Sequence, residues 1–312
     1  MKLILDLDTG IDDAMALAYA VGHPEAEVLA VTSVFGNVET VTGADNAAAI
    51  LKLLGREDIP VYVGAKRALD ADQDYVQEAA SGIFHGRNGL ANLDFPAGAP
   101  VQDQDAVDYL VDQARALGDE LTIVTTGPLT NLALAIQKDP EAMLSVRQVV
   151  SMGGALTVPG NVSYFAEANF NKDSKANNIV FDSGINMTMI GLDVTLQTLL
   201  TEDHINKWQA GSPAAQAFFD IVSYYFQAYD SSYDELRGCA LHDPLAVSVA
   251  LDERWVTGQT FCLRSLSGDQ EGRIVQNLPA LADGAEPNVR VGLAVDGPLY
   301  TRHFVETIEK AF

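Results

Sequence analysis

The chain has 312 residues, with 19 Lys and Arg against 43 Asp and Glu, a formal net charge of −24 with histidines neutral. A field of that sign opposes nucleic acid and anionic lipid as partners. An apolar fraction of 48% with 20% charged residues excludes disordered and collagen-like classes and provides for a large core.

Asp6 and Asp8 interrupt the N-terminal apolar run before a signal-peptide core can form, and no run of about 18 apolar residues marks a membrane span, so a cytoplasmic location is expected. Cys239 and Cys262 are too few for a disulfide framework and read as buried thiols. At about 150 residues per domain the length suggests two domains. No Pro/Gly/Ser-rich linker, low-complexity tract or repeat divides the chain, so one domain over 1–312 is expected.

In chain order, residues 3–7 form a short apolar run that fits a strand buried on both faces, and 14–21 carry a helical apolar pattern. A second buried strand is expected at 28–34. Residues 70–100 lack periodicity, contain Gly82, Gly86 and Gly89, and read as a long functional surface loop. Ala106, Val107, Leu110, Val111, Ala114 and Leu117 follow a 3–4 spacing that Gly118 ends, the pattern of a helix. Further strands are expected at 121–125, 148–152, 187–192 and 290–295. After the first of these, Pro128 fits a first helical position, with Leu129, Leu132, Ala133 and Ile136 as the buried face.

Such alternation predicts an α/β fold with a mostly parallel sheet. Ligands of these sheets lie beyond the carboxyl ends of the strands. The residues there are polar: Asp8, Gly36-Asn37, Thr126-Gly127 and Asp193.

The segment Asp6-Leu7-Asp8-Thr9-Gly10-Ile11-Asp12-Asp13 brings four carboxylates to one turn. Asp6 and Asp8 are two apart on a strand and leave it on the same side, while Asp12 and Asp13 fall where a helix N-cap is expected. Two ionised carboxylates about 5 Å apart repel by about 3 kcal/mol at an effective dielectric of about 20. A helix N-terminus offsets only about 1 kcal/mol of this. A bound cation is the simplest resolution; one capping Asp with solvated neighbours is the structural alternative. The ligands on offer are oxygens, with no His/Cys cluster, so the cation should be Ca²⁺ or Mg²⁺ rather than Zn²⁺. A hard cation polarises water less than zinc does, so a hydrolytic mechanism here needs a carboxylate base as well.

This octet resembles the signature of the nucleoside hydrolases, the inosine–uridine-preferring family of N-ribohydrolases. Further matches follow in the family's order: Gly36-Asn37, His85-Gly86, Thr126-Gly127-Pro128-Leu129-Thr130-Asn131, Met152-Gly153-Gly154, Gly160-Asn161, Ala166-Glu167-Ala168-Asn169 and His242-Asp243-Pro244. The resemblance implies a Rossmann-like core with helices on both sheet faces. It also implies Ca²⁺-dependent hydrolysis of purine or pyrimidine ribonucleosides to ribose and free base, by a homodimer or homotetramer.

Carried over position by position, the resemblance implies that Asp8, Asp13, the Thr126 carbonyl and Asp243 hold Ca²⁺, with Asp8 also the general base. Asp12, Asn37, Asn161, Glu167 and Asn169 are implied to bind ribose hydroxyls, His242 to assist departure of the base, and Asp6 to stand behind the ligands. The physics is compatible. Glycoside cleavage develops positive charge on the sugar, which a carboxylate-lined pocket stabilises. The ribose 2- and 3-hydroxyls suit a flexible, high-coordination ion.

His242 adjoins Asp243 and has an ordinary pKa suited to proton transfer near neutrality. His85, in a Gly-rich stretch, is a second candidate for base contact. Residues 223–233 are rich in aromatics, and Tyr229 and Tyr233, four apart, can present one helix face to a stacked base. The stretches 70–100 and 223–237 are candidates to close over substrate.

Three positions depart from the common family pattern. Thr9 replaces a frequent proline, and Ala168 replaces a frequent phenylalanine, leaving more room near Glu167 and the base preference open. Lys172-Asp173-Ser174 replaces an Asp-Pro with no evident catalytic consequence. Two other readings use the same carboxylates. A haloacid-dehalogenase-like phosphatase would draw on Asp6-Leu7-Asp8-Thr9 with Gly268-Asp269 as its later acidic element, and a non-catalytic Ca²⁺-dependent sugar-binding protein would not need His242.

Overall fold

Alternate side chains of the first strand enter different apolar clusters, and this organises the molecule in layers. In the computed structural model, which describes residues 1–232 and 238–312, β1 is Lys2–Leu7. Its Leu3, Leu5 and Leu7 pack with residues of the helices Ile11–Gly22 and His242–Leu251. Ile4 points the other way, into a cluster with residues of the helices Ala106–Leu117 and Thr130–Lys138. A strand covered on both faces is largely apolar, which is why Leu3, Ile4, Leu5 and Leu7 are all buried, with Asp6 the one buried acid among them.

Five more strands follow in chain order: β2 (Glu27–Ser33), β3 (Val61–Val63), β4 (Leu121–Thr125), β5 (Gln148–Met152) and β6 (Met187–Ile190). Their spatial order is β3-β2-β1-β4-β5-β6, all parallel. Val289–Val295 adds a parallel strand beside β6, and Val256–Phe261 closes that edge antiparallel. The order reverses direction at β1 and β4, the switch point of a doubly wound sheet.

Most expected elements are present, with several shifts. The first helix, Ile11–Gly22, begins a turn earlier than the apolar pattern, with Gly10 at its N-cap. Asp12 and Asp13 therefore occupy its first turn, and the Asp13 carboxylate reaches back to accept the Gly10 N–H at 2.8 Å. Thr130–Lys138 starts two residues beyond Pro128, so the proline belongs to the preceding turn; Leu129, Leu132, Ala133 and Ile136 are buried as expected. The strand expected to reach Leu192 stops at Ile190, because Leu192 opens the short helix Leu192–Thr195.

Within 70–100, a seven-residue helix, Ala79–His85, is too short to show a period, and Gly86 ends it at φ +80°. Val61–Val63 escapes notice for the same reason, and Val256–Phe261 because an edge strand mixes exposed and buried positions. Cys239 and Cys262 are buried, unpaired thiols. Among the described residues no helix is long and apolar enough to cross a membrane.

Candidate active site

Two loops leave the switch point, one after β1 and one after β4, and the site grows from them. Asp8 follows β1 directly and is fully buried. Its carboxylate accepts the Asn37 main-chain N–H at 2.8 Å and the Asn37 side-chain amide at 3.1 Å. Residue 36 has to be glycine, since a Cβ there would overlap the Asp8 carboxylate. The Asn37 amide also donates to Asp13 at 3.1 Å, and Thr126, just past β4, donates its hydroxyl to Asp13 at 2.6 Å. The Thr126 carbonyl accepts the Asn169 amide at 2.6 Å.

Asp243 joins from the first turn of His242–Leu251. Oxygens of Asp12, Asp13 and Asp243, all buried, lie within 4.8 Å of one another. Asp6 turns elsewhere: one oxygen accepts Thr32 at 2.6 Å and Asn131 at 2.8 Å, and burial pushes its carboxyl up to about 6. Burial likewise pushes Asp12 up to about 6, and burial with the charge of Asp12 does the same to Asp13. Asp8 and Asp243 rise well above the carboxylate range, first by burial and then by the charges of Asp12 and Asp13. Among the described residues, no cation lies within salt-bridge distance of Asp8, Asp13 or Asp243. A buried set of hard oxygen donors that resists ionisation is the environment a hard cation fits.

A cavity of about 290 Å³ opens onto this cluster. One wall carries Asn37, Thr126, Asn161, Glu167 and Asn169; the other carries Phe84, His85, Tyr225, Tyr229 and His242. Asp12 and Asp243 reach the cavity, while Asp8 and Asp13 do not line it. Glu167 caps the short helix Ala168–Lys172, its oxygens accepting the N–H groups of Gly154, Asn169 and Phe170 at 2.7, 2.8 and 3.1 Å. Asn161 spends its carbonyl oxygen on the Ala168 N–H at 3.0 Å.

On the opposite wall, His85 accepts the Ile11 N–H at 3.2 Å and its ring lies 5.3 Å from that of Tyr225. His242 is held at both ring nitrogens, 2.8 Å from the Tyr229 hydroxyl and 2.8 Å from the Thr195 hydroxyl. Burial pushes both imidazoles down to about 4, with His85 adding to the shift at His242. At about 4, His242 is neutral at pH 7 rather than poised to titrate there as an ordinary imidazole is.

Tyr233 lies outside the described residues. Three participants, Phe84, Tyr225 and Thr195, belong to no sequence motif. Tyr225 donates to Asp12 at 3.3 Å, and its i, i+4 spacing to Tyr229 was the available signal. Thr195 had none, because its contact with His242 spans 47 residues. Gly268-Asp269, the acidic element that a phosphatase would need, sits in an exposed turn away from the cavity.

A model of the inosine-uridine preferring nucleoside hydrolases matches residues 3–302. The chain is 40% identical to the solved purine-preferring ribonucleoside hydrolase from Gardnerella vaginalis, covering 100% of this chain and 99% of that one, with a TM-score of 0.96. A probable uridine nucleosidase 2 of Arabidopsis thaliana is 35% identical, covering 98% of this chain and 97% of its own length. The pyrimidine-specific ribonucleoside hydrolase RihB of Escherichia coli strain SE11 is 32% identical over 95% of this chain and 93% of its own. Matched along nearly its full length, with the motif residues gathered at the switch point of the sheet, the chain belongs to the inosine-uridine preferring nucleoside hydrolases and hydrolyses the N-glycosidic bond of ribonucleosides.

Proposed function

We propose that the reaction is Ca²⁺-dependent, that Asp8 takes the proton of the attacking water and that His242 assists departure of the base. The observation behind this reading is the convergence of Asp12, Asp13 and Asp243 within 4.8 Å, buried, between a wall of amides and a wall of rings. Asp8, Asp13, Asp243 and the Thr126 carbonyl are the residues assigned to Ca²⁺, with Asp12 close enough to share in it. When bound, the ion supplies the positive charge that keeps these carboxylates ionised and anchors the ribose 2- and 3-hydroxyls.

Asp12, Asn37, Asn161, Glu167 and Asn169 hold the sugar. Asp8 takes a proton from the attacking water as its oxygen bonds to the anomeric carbon. The C–N bond breaks, and its electron pair leaves with the base. His242, kept neutral by burial, steadies that charge with a hydrogen bond from a ring N–H, and the departing base takes its proton from solvent water. If the Thr195 hydroxyl donates into Nδ1, the proton sits on Nε2, facing Tyr229 and the cavity. The base stands among Phe84, His85, Tyr225 and Tyr229. Rings stack on any base, so purine or pyrimidine ribonucleosides fit this reading. The chain acts as a homodimer or homotetramer, and the free thiols of Cys239 and Cys262 accord with a cytoplasmic setting.

Incubation with inosine and uridine, assayed for reducing sugar with chelator and after Ca²⁺ is restored, tests the proposal. Ribose should appear, vanish with chelator and return with Ca²⁺. Turnover that survives exhaustive chelation refutes the metal assignment. A kcat/KM panel over purine and pyrimidine ribonucleosides tests the base range.

A further inference from the structure

Lys172 has a buried ammonium beside an acidic pocket, and its partners come from the segment that precedes the helix Ala79–His85. It ends the short helix Ala168–Lys172, which follows Glu167 and carries Asn169. Its side chain is 6% exposed. Its Nζ lies 3.3 Å from Glu78 and 5.3 Å from the centre of the Tyr75 ring. Among the described residues, Glu78 is the sole acid within salt-bridge distance of it. Burial alone would lower the Lys172 pKa, yet Tyr75, Glu78 and Asp8 outweigh it and raise the value.

The segment that supplies these partners leads into the helix Ala79–His85, which presents Phe84 and His85 to the cavity. Gln77, between them, donates its side-chain amide to the carbonyls of Asn37 and Gly86 at 2.9 and 3.0 Å. Its main-chain N–H reaches Glu39 at 2.9 Å, and the Tyr75 ring lies 5.4 Å from that of Phe35. Residues 75–78 are thereby tied to Asn37, the residue whose amide joins Asp8 to Asp13, and to the sugar-facing wall through Lys172.

Glu78 lines the cavity with its carboxylate half exposed, and a carboxylate so open to solvent adds little as an ion pair by itself. A buried ammonium is a different case: stripped of its partners it is costly, so the 75–78 segment has to stay where it solvates the charge. We infer that Lys172 is a positioning residue, clasped by Glu78 and Tyr75, that fixes the separation of the two cavity walls and so sets ribonucleoside affinity without entering the chemical step. The inference rests on the assignment of these walls to sugar and base.

The test compares Lys172→Met, Glu78→Gln, the double variant and Lys172→Arg, all as the full chain. Lys172→Met should raise KM for inosine and uridine about tenfold with kcat within about threefold, the mark of lost uniform binding. Glu78→Gln should raise KM by about threefold, the double variant should be no worse than Lys172→Met, and Lys172→Arg should recover most of the loss. Amide hydrogen exchange over residues 75–85 should accelerate in Lys172→Met and Glu78→Gln alike. A fall in kcat at constant KM, multiplicative effects in the double variant, or unchanged exchange would each overturn the clasp. Should Lys172→Met fail to fold, Glu78→Gln and Tyr75→Leu probe the same clasp from its exposed side. Absence of ribose release by the unaltered chain would count against the site reading alone, since the exchange measurement still decides the clasp.

Discussion

Asp8 is the residue at which burial and chemistry conflict most directly. It is fully buried beside Asp12 and Asp13, and two hydrogen bonds from Asn37 are its direct stabilisation in the chain. Replacing it with Asn keeps the shape and removes both the charge and the base. Asp8→Asn should lower kcat by about 10³-fold or more while the circular dichroism spectrum stays unchanged; near-full turnover refutes its role as base. His242 acts at the other end of the breaking bond. His242→Ala should slow inosine hydrolysis by about 10²-fold yet spare a nitrophenyl riboside, whose leaving group needs no proton. Equal losses on both substrates would argue against assistance to the base.

Elements position these side chains, and the helix Pro213–Ser232 shows how. Tyr225 and Tyr229, one turn apart, face the cavity together and bond to different functional groups, Asp12 and His242. Tyr229→Phe should therefore lower kcat on inosine by about tenfold and leave the nitrophenyl riboside unaffected, while Tyr225→Phe should act mainly on KM, by about threefold. Steady-state kinetics on the two substrates separates them; identical effects would deny that the helix serves two ends of the substrate. The same helix illustrates a limit of sequence reading. Its aromatic richness was plain, but which rings line the cavity depends on how the helix is rotated against the strands, and no spacing along the chain records that. Lys172 is a similar case: a lone lysine after Asn171 has no pattern, and its meaning comes from a segment almost a hundred residues earlier.

Over the whole molecule, the carboxylate cluster ties stability to pH and to metal. In the folded, metal-free chain Asp12 and Asp13 hold their protons up to about pH 6, against an ordinary value of 3.8. Between those values the folded state binds more protons than the unfolded one. The stability from these groups is complete below about pH 3.8 and is lost as pH rises through about 6. His85 and His242 work oppositely, losing stability as pH falls from 6.5 towards about 4. The raised carboxyls Asp6, Asp8, Asp12, Asp13, Glu167 and Asp243 outnumber the four lowered imidazoles, His85, His242 and the half-buried His23 and His303. Thermal unfolding in chelator should therefore show Tm falling as pH rises from 4 to 6. Saturating Ca²⁺ at pH 7 should raise Tm by about 5 °C or more, because it binds the folded state alone. A Tm indifferent to Ca²⁺ at pH 7 would remove the cation site.

The net charge of −24 now has two components: acids dispersed along the chain, and a few driven into the switch point. The sequence by itself determined the alternation of buried strands and helices, because side-chain period and burial are local properties of the chain. It also marked Asp8, Asp12 and Asp13 as a cluster, because eight consecutive residues hold them together. The tertiary structure decided what local chemistry leaves open: that Asp243 completes the cluster and Asp6 turns away to Thr32 and Asn131, that Thr195 and Tyr229 clasp His242, and that burial takes His242 out of the neutral titration range. Each of these depends on contacts between strand ends and helices far apart in sequence, and on desolvation, which exists only once the chain has closed around the site.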